Sequence, residues 1–484
     1  MIFLHQKQRI LTLALVFSLL LGTGSVLLSL PQSAAAAPAA NTAAAAPARR
    51  VVTPGHPFSI QDKAENCHSA LDAAATKALN TALARRIGGY GDAVPGLSVL
   101  IYRDGKEVYR NSMGNAFLSP GNAKWNLPVT AATRFRVASL SKIVTAVGIM
   151  QLAEQGKLDL DGDAGSYLGF RLRNPHYPST VITPRMLLSH TSSLRDNGNN
   201  YIPASVSLRS FFASGRGFAG AGQAPGAYFS YCNSNYILLG TMLERLSGER
   251  FDRYMTNHVL APLEIHGSFN MNDFSPADLA KLGANYRKPN GVHQPYVAAV
   301  DGRPIQLQPP AQRISTYQIG TNAALFGPQG NLRVSAVELS HLLQMLMNNG
   351  TYNGKRILQP ASVAAMTTPV WTYNPAVPNG TIDEDNIEKY GLAMQYMDGK
   401  GTTKPAPDRP DFDLVGHFGE AYGFIGGLFW QPGTKNGFVF LQNGCATPEE
   451  DNPGRYSRSY RYEEDMLQPI IENAFPAVPS RKGK

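Results

Sequence analysis

The sequence predicts an α+β fold: one antiparallel sheet flanked by N- and C-terminal helices, with an all-helical domain inserted between its two halves. Three observations lead there. Strand-rich runs punctuated by turn residues lie near both ends of the chain, and helical periodicity fills the long middle. Helix-like segments at residues 66–87 and 456–475 bracket the whole.

The elements follow in chain order. Lys7 and Arg9 precede an apolar stretch from Ile10 to Leu30, then Pro31 and an alanine run holding Ala35-x-Ala37. That is a signal-peptide pattern over residues 1–37, with an uncleaved membrane anchor as the alternative. Residues 38–60 form an Ala/Pro-rich leader, 61–475 the folded domain and 476–484 a tail. The sheet part is expected over about 61–130 and 390–475, the helical part over about 131–389.

Residues 66–87 read as an amphipathic helix. P-G-L-S-V-L-I-Y-R-D-G-K-E-V-Y-R-N then gives two β-rich runs around Asp104-Gly105, a hairpin signal. A helix follows from Ser139 to about Gly156, and another starts at Thr183 with Pro184 in its first turn. The Gly/Ser/Asn-rich stretch from Asp196 to Gly226 is a long surface loop or subdomain, and helices recur at 235–247 and 335–349. From Gly416 the pattern returns to strands, with a Pro432-Gly433 turn between two of them.

Within this frame Ser139 and Lys142 carry the strongest chemical signal. No other lysine in the chain has a serine three residues before it. Residues i and i+3 share a helix face, so the ammonium lies beside the hydroxyl. A serine hydroxyl becomes a nucleophile only when a neighbour takes its proton or stabilises its alkoxide. Tyr231-Cys232-Asn233 leads into an apolar helix and can point a phenol and a carboxamide into one cleft. Tyr109-Arg110-Asn111 repeats that spacing inside the hairpin, where a structural role is the simpler reading. His417-Phe418-Gly419 is the one H-x-G of the chain, and its glycine would let a ligand approach the backbone.

Other chemistries are thin. The chain has no G-x-S-x-G, no H-E-x-x-H and no C-x-x-C, so neither a nucleophile elbow nor a zinc site is readable, and no cofactor is implied. Gly215, Gly217 and Gly220 match G-x-G-x-x-G but follow no strand. Net charge is +9, or +7 without residues 1–37, and no dense Lys/Arg block argues for nucleic acid. Three cysteines in an exported chain suggest one disulfide and one free thiol.

Ser139-x-x-Lys142, Tyr231-x-Asn233 and His417-x-Gly419, in that order, resemble the serine β-lactamase and penicillin-binding-protein superfamily. They are most similar to its class C branch, which also holds DD-carboxypeptidases, esterases and D-aminopeptidases. F-R-V-A-S-L-S-K, L-L-S-H-T-S-S-L, Y-G-L-A-M-Q-Y and G-H-F-G-E-A-Y-G-F resemble family blocks in the same order, covering about residues 66–475.

The resemblance implies a β-lactamase/transpeptidase-like fold with the active site between sheet and helical parts. It implies that Ser139 forms an acyl-enzyme while Lys142 and Tyr231 share the proton transfer. Asn233 would bind substrate or Lys142, and the backbone N–H groups of Ser139 and Glu420 would form the oxyanion hole. His417, Phe418, Gly419 and Glu420 would line the substrate site, with His417 where relatives carry the Lys of K-T-G. Phe418 stands for a carboxylate-binding Thr, and Ser193 for a Gly. The family architecture further implies a Cys67–Cys445 disulfide, leaving Cys232 reduced. The expected protein is a periplasmic or secreted hydrolase of a small ester, peptide or cell-wall-derived substrate, DD-carboxypeptidase- or esterase-like. A class C-type β-lactamase and a catalytically weak penicillin-binding or envelope scaffold protein are the alternatives, with membrane contact only through an uncleaved signal segment.

Overall fold

Asp104 and Gly105 both take positive φ, 52° and 77°. This suits the two-residue hairpin connection whose twist matches that of its strands. They join β2 (Gly96–Arg103) to β3 (Lys106–Phe117) in the computed structural model, which describes residues 66–89, 91–196, 202–382, 386–446 and 452–477. The signal-peptide and leader segments, and the tail from residue 478, lie outside the described residues.

The expected helix at 66–87 begins later. Cys67–Ser69 instead forms β1, an edge strand on β3, and α1 runs Ala73–Arg86. Asp72 caps α1 by accepting from Ala75 N at 2.8 Å, a start signal that sets the boundary. The helical part then supplies α2 (Ser141–Glu154), α3 (Pro184–Leu188), α4 (Ser234–Ser247) and α5 (Ala336–Met347). The Thr183 hydroxyl caps α3, and Ser335 with Glu338 forms a capping box at α5. Of the loop from Asp196, residues 202–226 hold one short helix, Leu208–Ala213.

The C-terminal strands are β4 (Trp371–Thr372), β5 (Lys389–Tyr390), β6 (Gln395–Met397), β7 (Leu414–Ala421), β8 (Phe424–Trp430) and β9 (Gly437–Gln442). They join the hairpin in the order β1-β3-β2-β9-β8-β7-β6-β5-β4, every neighbour antiparallel, with Leu127–Pro128 added beside β3. One of these strands, β4, comes from the span expected to be helical, and β5 falls on its expected boundary. The closing helix α6 is Arg461–Ala474.

Side-chain alternation sorts two cores onto the two faces of the sheet. Val99, Ile101, Phe438 and Phe440 pack with α1 and α6 through Leu79, Leu83, Met466 and Ile470. Leu100, Val439, Leu441 and Leu428 pack with the helical part through Ile143, Val147 and Leu339. Each such aliphatic or aromatic side chain contributes roughly 1.5–3 kcal/mol on burial. Among the described residues no helix is long and apolar enough to cross a membrane.

The expected Cys67–Cys445 disulfide is absent: none of the three cysteines is bonded to another. Cys67 sits opposite Asn111, which faces Val99, which faces Phe440. Three strand spacings, about 14 Å, therefore separate β1 from β9, and Cys445 lies five residues beyond Phe440. A disulfide needs Cα atoms within about 7 Å.

Candidate active site

Ser139 lies in a 3-10 turn, Ala138–Leu140, that runs straight into α2. Ala138 takes φ +47°, an uncommon backbone conformation for a residue with a side chain. A Cβ added to Gly419 would stand 2.6 Å from Val137 O and 2.9 Å from Leu140 Cγ. The glycine of H-x-G is thus required because β7 packs on the Ala138–Leu140 turn; the close approach there is made by the protein itself.

One turn on, Lys142 is fully buried. Its Nζ donates to Ser139 Oγ at 2.8 Å, Asn233 Oδ1 at 2.8 Å and Gln329 O at 3.1 Å. Those three acceptors match the full donor complement of an ammonium. The rings of Tyr231 and Tyr236 lie beside it, with centroids 4.6 and 5.5 Å from Nζ. A desolvated ammonium against aromatic faces gains cation–π stabilisation. Asn233 therefore meets Lys142, one of the two roles expected of it.

Tyr231 and Asn233 precede α4, and the carboxylate of Asp196 holds that start. It accepts from Asn233 N at 2.5 Å, Ser234 N at 3.0 Å and Ser234 Oγ at 2.6 Å. Cys232 Sγ lies 3.4 Å from the same carboxylate. Burial first, and then Asp196, push the Cys232 thiol well above its usual pKa, so it stays a small packed group. Replacing Asp196 with Ala is expected to lower stability by about 1–3 kcal/mol, the cost of a lost cap with donors left unpaired. A urea titration should show a reduced midpoint with an unchanged slope.

His417 is buried on β7. Its Nδ1 meets Phe418 O, and its Nε2 lies 2.9 Å from Tyr390 OH. The carbonyl can only accept, so Nδ1 carries the hydrogen and the tyrosine donates to Nε2. Burial, then the charge of Lys142, push the His417 pKa down to about 3. An unfolded histidine titrates near ~6.5, so below that pH the unfolded chain takes up a proton that the fold refuses. Stability from this group is complete above about 6.5 and is lost as pH falls toward 3, by at most ~1.4 kcal/mol per pH unit. Urea midpoints measured from pH 8 to 4 should fall accordingly, and His417→Gln should flatten part of the slope.

Phe418 borders the cleft, yet its ring packs on the opposite face of the sheet, 4.6 Å from the Phe429 ring and 6.5 Å from that of Phe440. Its N–H points outward from the strand to Gln395 Oε1 at 2.8 Å. Strand periodicity turns the N–H of Glu420, two residues on, to the same side. Ser139, Tyr231, Asn233, His417, Phe418 and Glu420 all line one cleft of about 1190 Å³.

The second Tyr-x-Asn copy is structural. Tyr109 OH donates to Asn80 Oδ1 at 2.6 Å, and Asn111 bonds to both, clipping β3 to α1. Sequence reading missed Asp196, Tyr390, the Gln329 carbonyl and His190. Two of these had a local signal, His190 in the L-L-S-H-T-S-S-L block and Tyr390 at the head of Y-G-L-A-M-Q-Y.

Comparison with known proteins bears on the family and the fold. The family model described as Beta-lactamase matches residues 83–460. Penicillin-binding protein 4 of Amycolatopsis lactamdurans is 25% identical over 281 residues, covering 56% of this chain and 65% of that protein. The chain spans between 36% and 65% of the length of the first curated relatives it matches. EstCE1, described as a hydrolase with promiscuous acyltransferase activity, aligns with TM-score 0.59 at 20% identity over 81% of this chain and 98% of that one. The D-amino acid amidase of Ochrobactrum anthropi SV3 aligns with TM-score 0.58 at 18% identity, over 83% and 99%. With the family model covering most of the chain and the fold shared with these structures, the protein belongs to the β-lactamase family, within the serine β-lactamase and penicillin-binding-protein superfamily.

Proposed function

We propose that this protein is an exported serine hydrolase of the class C-like branch that forms an acyl-enzyme on Ser139 and acts on an uncharged ester or peptide-like amide. The observation that carries the reading is the 2.8 Å contact between Ser139 Oγ and a fully buried Lys142 at the cleft. Ser139 Oγ attacks the carbonyl carbon, and its proton passes through Lys142 and Tyr231 to the leaving oxygen or nitrogen. The N–H groups of Ser139 and Glu420 receive the oxyanion, which is where preorganised donors act most strongly. Water, or another nucleophile, then releases the acyl group.

Substrate class follows from the third motif. A neutral His417, its Nε2 taken by Tyr390, presents no cation there. A carboxylate at this place would forgo a charge-assisted bond worth roughly 1.5–3 kcal/mol, whereas a neutral ester loses little. A hydrolase with promiscuous acyltransferase activity and a D-amino acid amidase share the fold, which supports the reading of a hydrolase that works by acyl transfer. The signal pattern at residues 1–37 supports a periplasmic or secreted location.

Purified protein assayed against nitrophenyl esters of short acids, D-amino-acid amides and nitrocefin tests the proposal. Ester or amide turnover well above nitrocefin turnover is expected. Nitrocefin hydrolysed faster than every neutral substrate would overturn it and favour a β-lactamase.

A further inference from the structure

The L-L-S-H-T-S-S-L block reaches the second motif through one residue. His190 follows α3 and takes φ +58°, a left-handed conformation in which His is enriched. From there it touches three consecutive residues. Its carbonyl accepts from Ser230 N at 2.9 Å. Its ring stacks on that of Tyr231, with centroids 4.2 Å apart and planes 29° from parallel. Its Nδ1 accepts from Cys232 N at 3.0 Å.

The tautomer is fixed by those partners. A nitrogen that accepts a backbone N–H carries no hydrogen, so the hydrogen sits on Nε2. Asn235 Nδ2 lies 3.1 Å from the same Nδ1. That amide is oriented by its own Oδ1, which accepts from Ser192 Oγ at 2.7 Å. Burial, then Lys142 and His417, hold His190 well below its ordinary pKa, in keeping with a neutral ring.

The rings of Phe229, Tyr236 and Tyr390 enclose the imidazole, and Nε2 is buried without a hydrogen-bond partner. An unpaired buried donor costs about 1–3 kcal/mol. A phenyl ring would fill this aromatic nest without that cost. What the imidazole adds is Nδ1, an acceptor on the residue next to Tyr231. His190 is not among the residues that line the cleft, so it has no route to substrate except through its neighbours.

We propose that His190 is the positioning residue for Tyr231, a neutral platform that holds the phenol ring beside Lys142. The proposal rests on the reading of Ser139 as nucleophile and Tyr231 as its proton partner. Displacing a reacting group by about 1 Å can cost ~10²-fold in rate, and His190 sets both the plane of the ring and the backbone on either side of it.

The test is a double-variant cycle on the full chain with His190→Asn and Tyr231→Phe. Rates are expressed per active site titrated with a fluorophosphonate, so a loss of folded protein does not count. Asn accepts positive φ and offers an oxygen to Cys232 N, but it removes the stack. His190→Asn should lower kcat by ~10–10²-fold with KM unchanged. In the Tyr231→Phe background it should cost far less. His190→Phe, which restores the stack but leaves Cys232 N unpaired, should melt lower than wild type yet recover kcat relative to His190→Asn. If His190→Asn does not fold, the same cycle with His190→Gln, which also keeps an acceptor oxygen and removes the stack, decides. Additive losses, or a change in KM alone, would overturn the role of His190. Wild-type protein that takes no label at Ser139 would instead overturn the nucleophile reading, and this inference with it.

Discussion

Ser139→Ala is expected to remove at least ~10⁴-fold of ester turnover, because a nucleophile acting within a catalytic unit takes most of the rate enhancement with it. The fold should survive. Ser139 Oγ contributes one of three acceptors to Lys142, and Asn233 Oδ1 and Gln329 O remain. The thermal midpoint should therefore move little while turnover collapses. Mass spectrometry after fluorophosphonate treatment gives the sharper measurement: one adduct on Ser139 in wild type and none in the variant. Two other serines of the neighbouring motifs are engaged elsewhere. Ser141 Oγ accepts from Leu332 N at 3.1 Å, and Ser189 Oγ donates to Arg185 O at 2.8 Å, both in buried positions. An adduct on Ser141, Ser189 or Ser230 would relocate the nucleophile.

What was legible in the sequence is what depends on local spacing. Ser139 and Lys142 meet because three residues make most of a helical turn. Asp104-Gly105 turns the hairpin because both residues tolerate positive φ. Side chains that act through tertiary contact left weaker marks. Asp196 caps α4 from 37 residues upstream, and nothing near it in sequence distinguishes it from other loop aspartates. Tyr390 reaches His417 only because β5 and β7 lie on either side of β6. The disulfide expectation failed for the same reason. The order of strands across the sheet, with β3 and β2 between β1 and β9, is not written in the spacing of cysteines. Phe418 shows a third case: its identity was readable, but its ring faces the core shared with α1 and α6, which only the register of β7 on β8 and β9 decides. The argument for uncharged substrates then rests on neutral His417, since the side chain at 418 is turned away.

Lys142 and Tyr231 should behave as one unit. The ammonium lies 4.6 Å from the Tyr231 ring centroid and bonds to Ser139 Oγ, so it couples the phenol and the nucleophile through a single charge. Removing Lys142 leaves Asn233 Oδ1 and Gln329 O facing a buried vacancy and strips the charge that would stabilise an alkoxide or phenolate. Lys142→Ala and Tyr231→Phe should each lower kcat by at least ~10²-fold, the lower end for lost general-base catalysis. Once either partner is gone the other has no proton to pass, so the double variant should be scarcely slower than the poorer single one. Lys142→Ala should also destabilise the fold, since it empties a packed site; Tyr231→Phe should not. Single-turnover acylation by a nitrophenyl ester, with active sites counted by fluorophosphonate, separates these effects. Multiplicative losses in the double variant would show that the two side chains serve independent steps, and a Tyr231→Phe protein of near wild-type rate would leave Lys142 alone as the base.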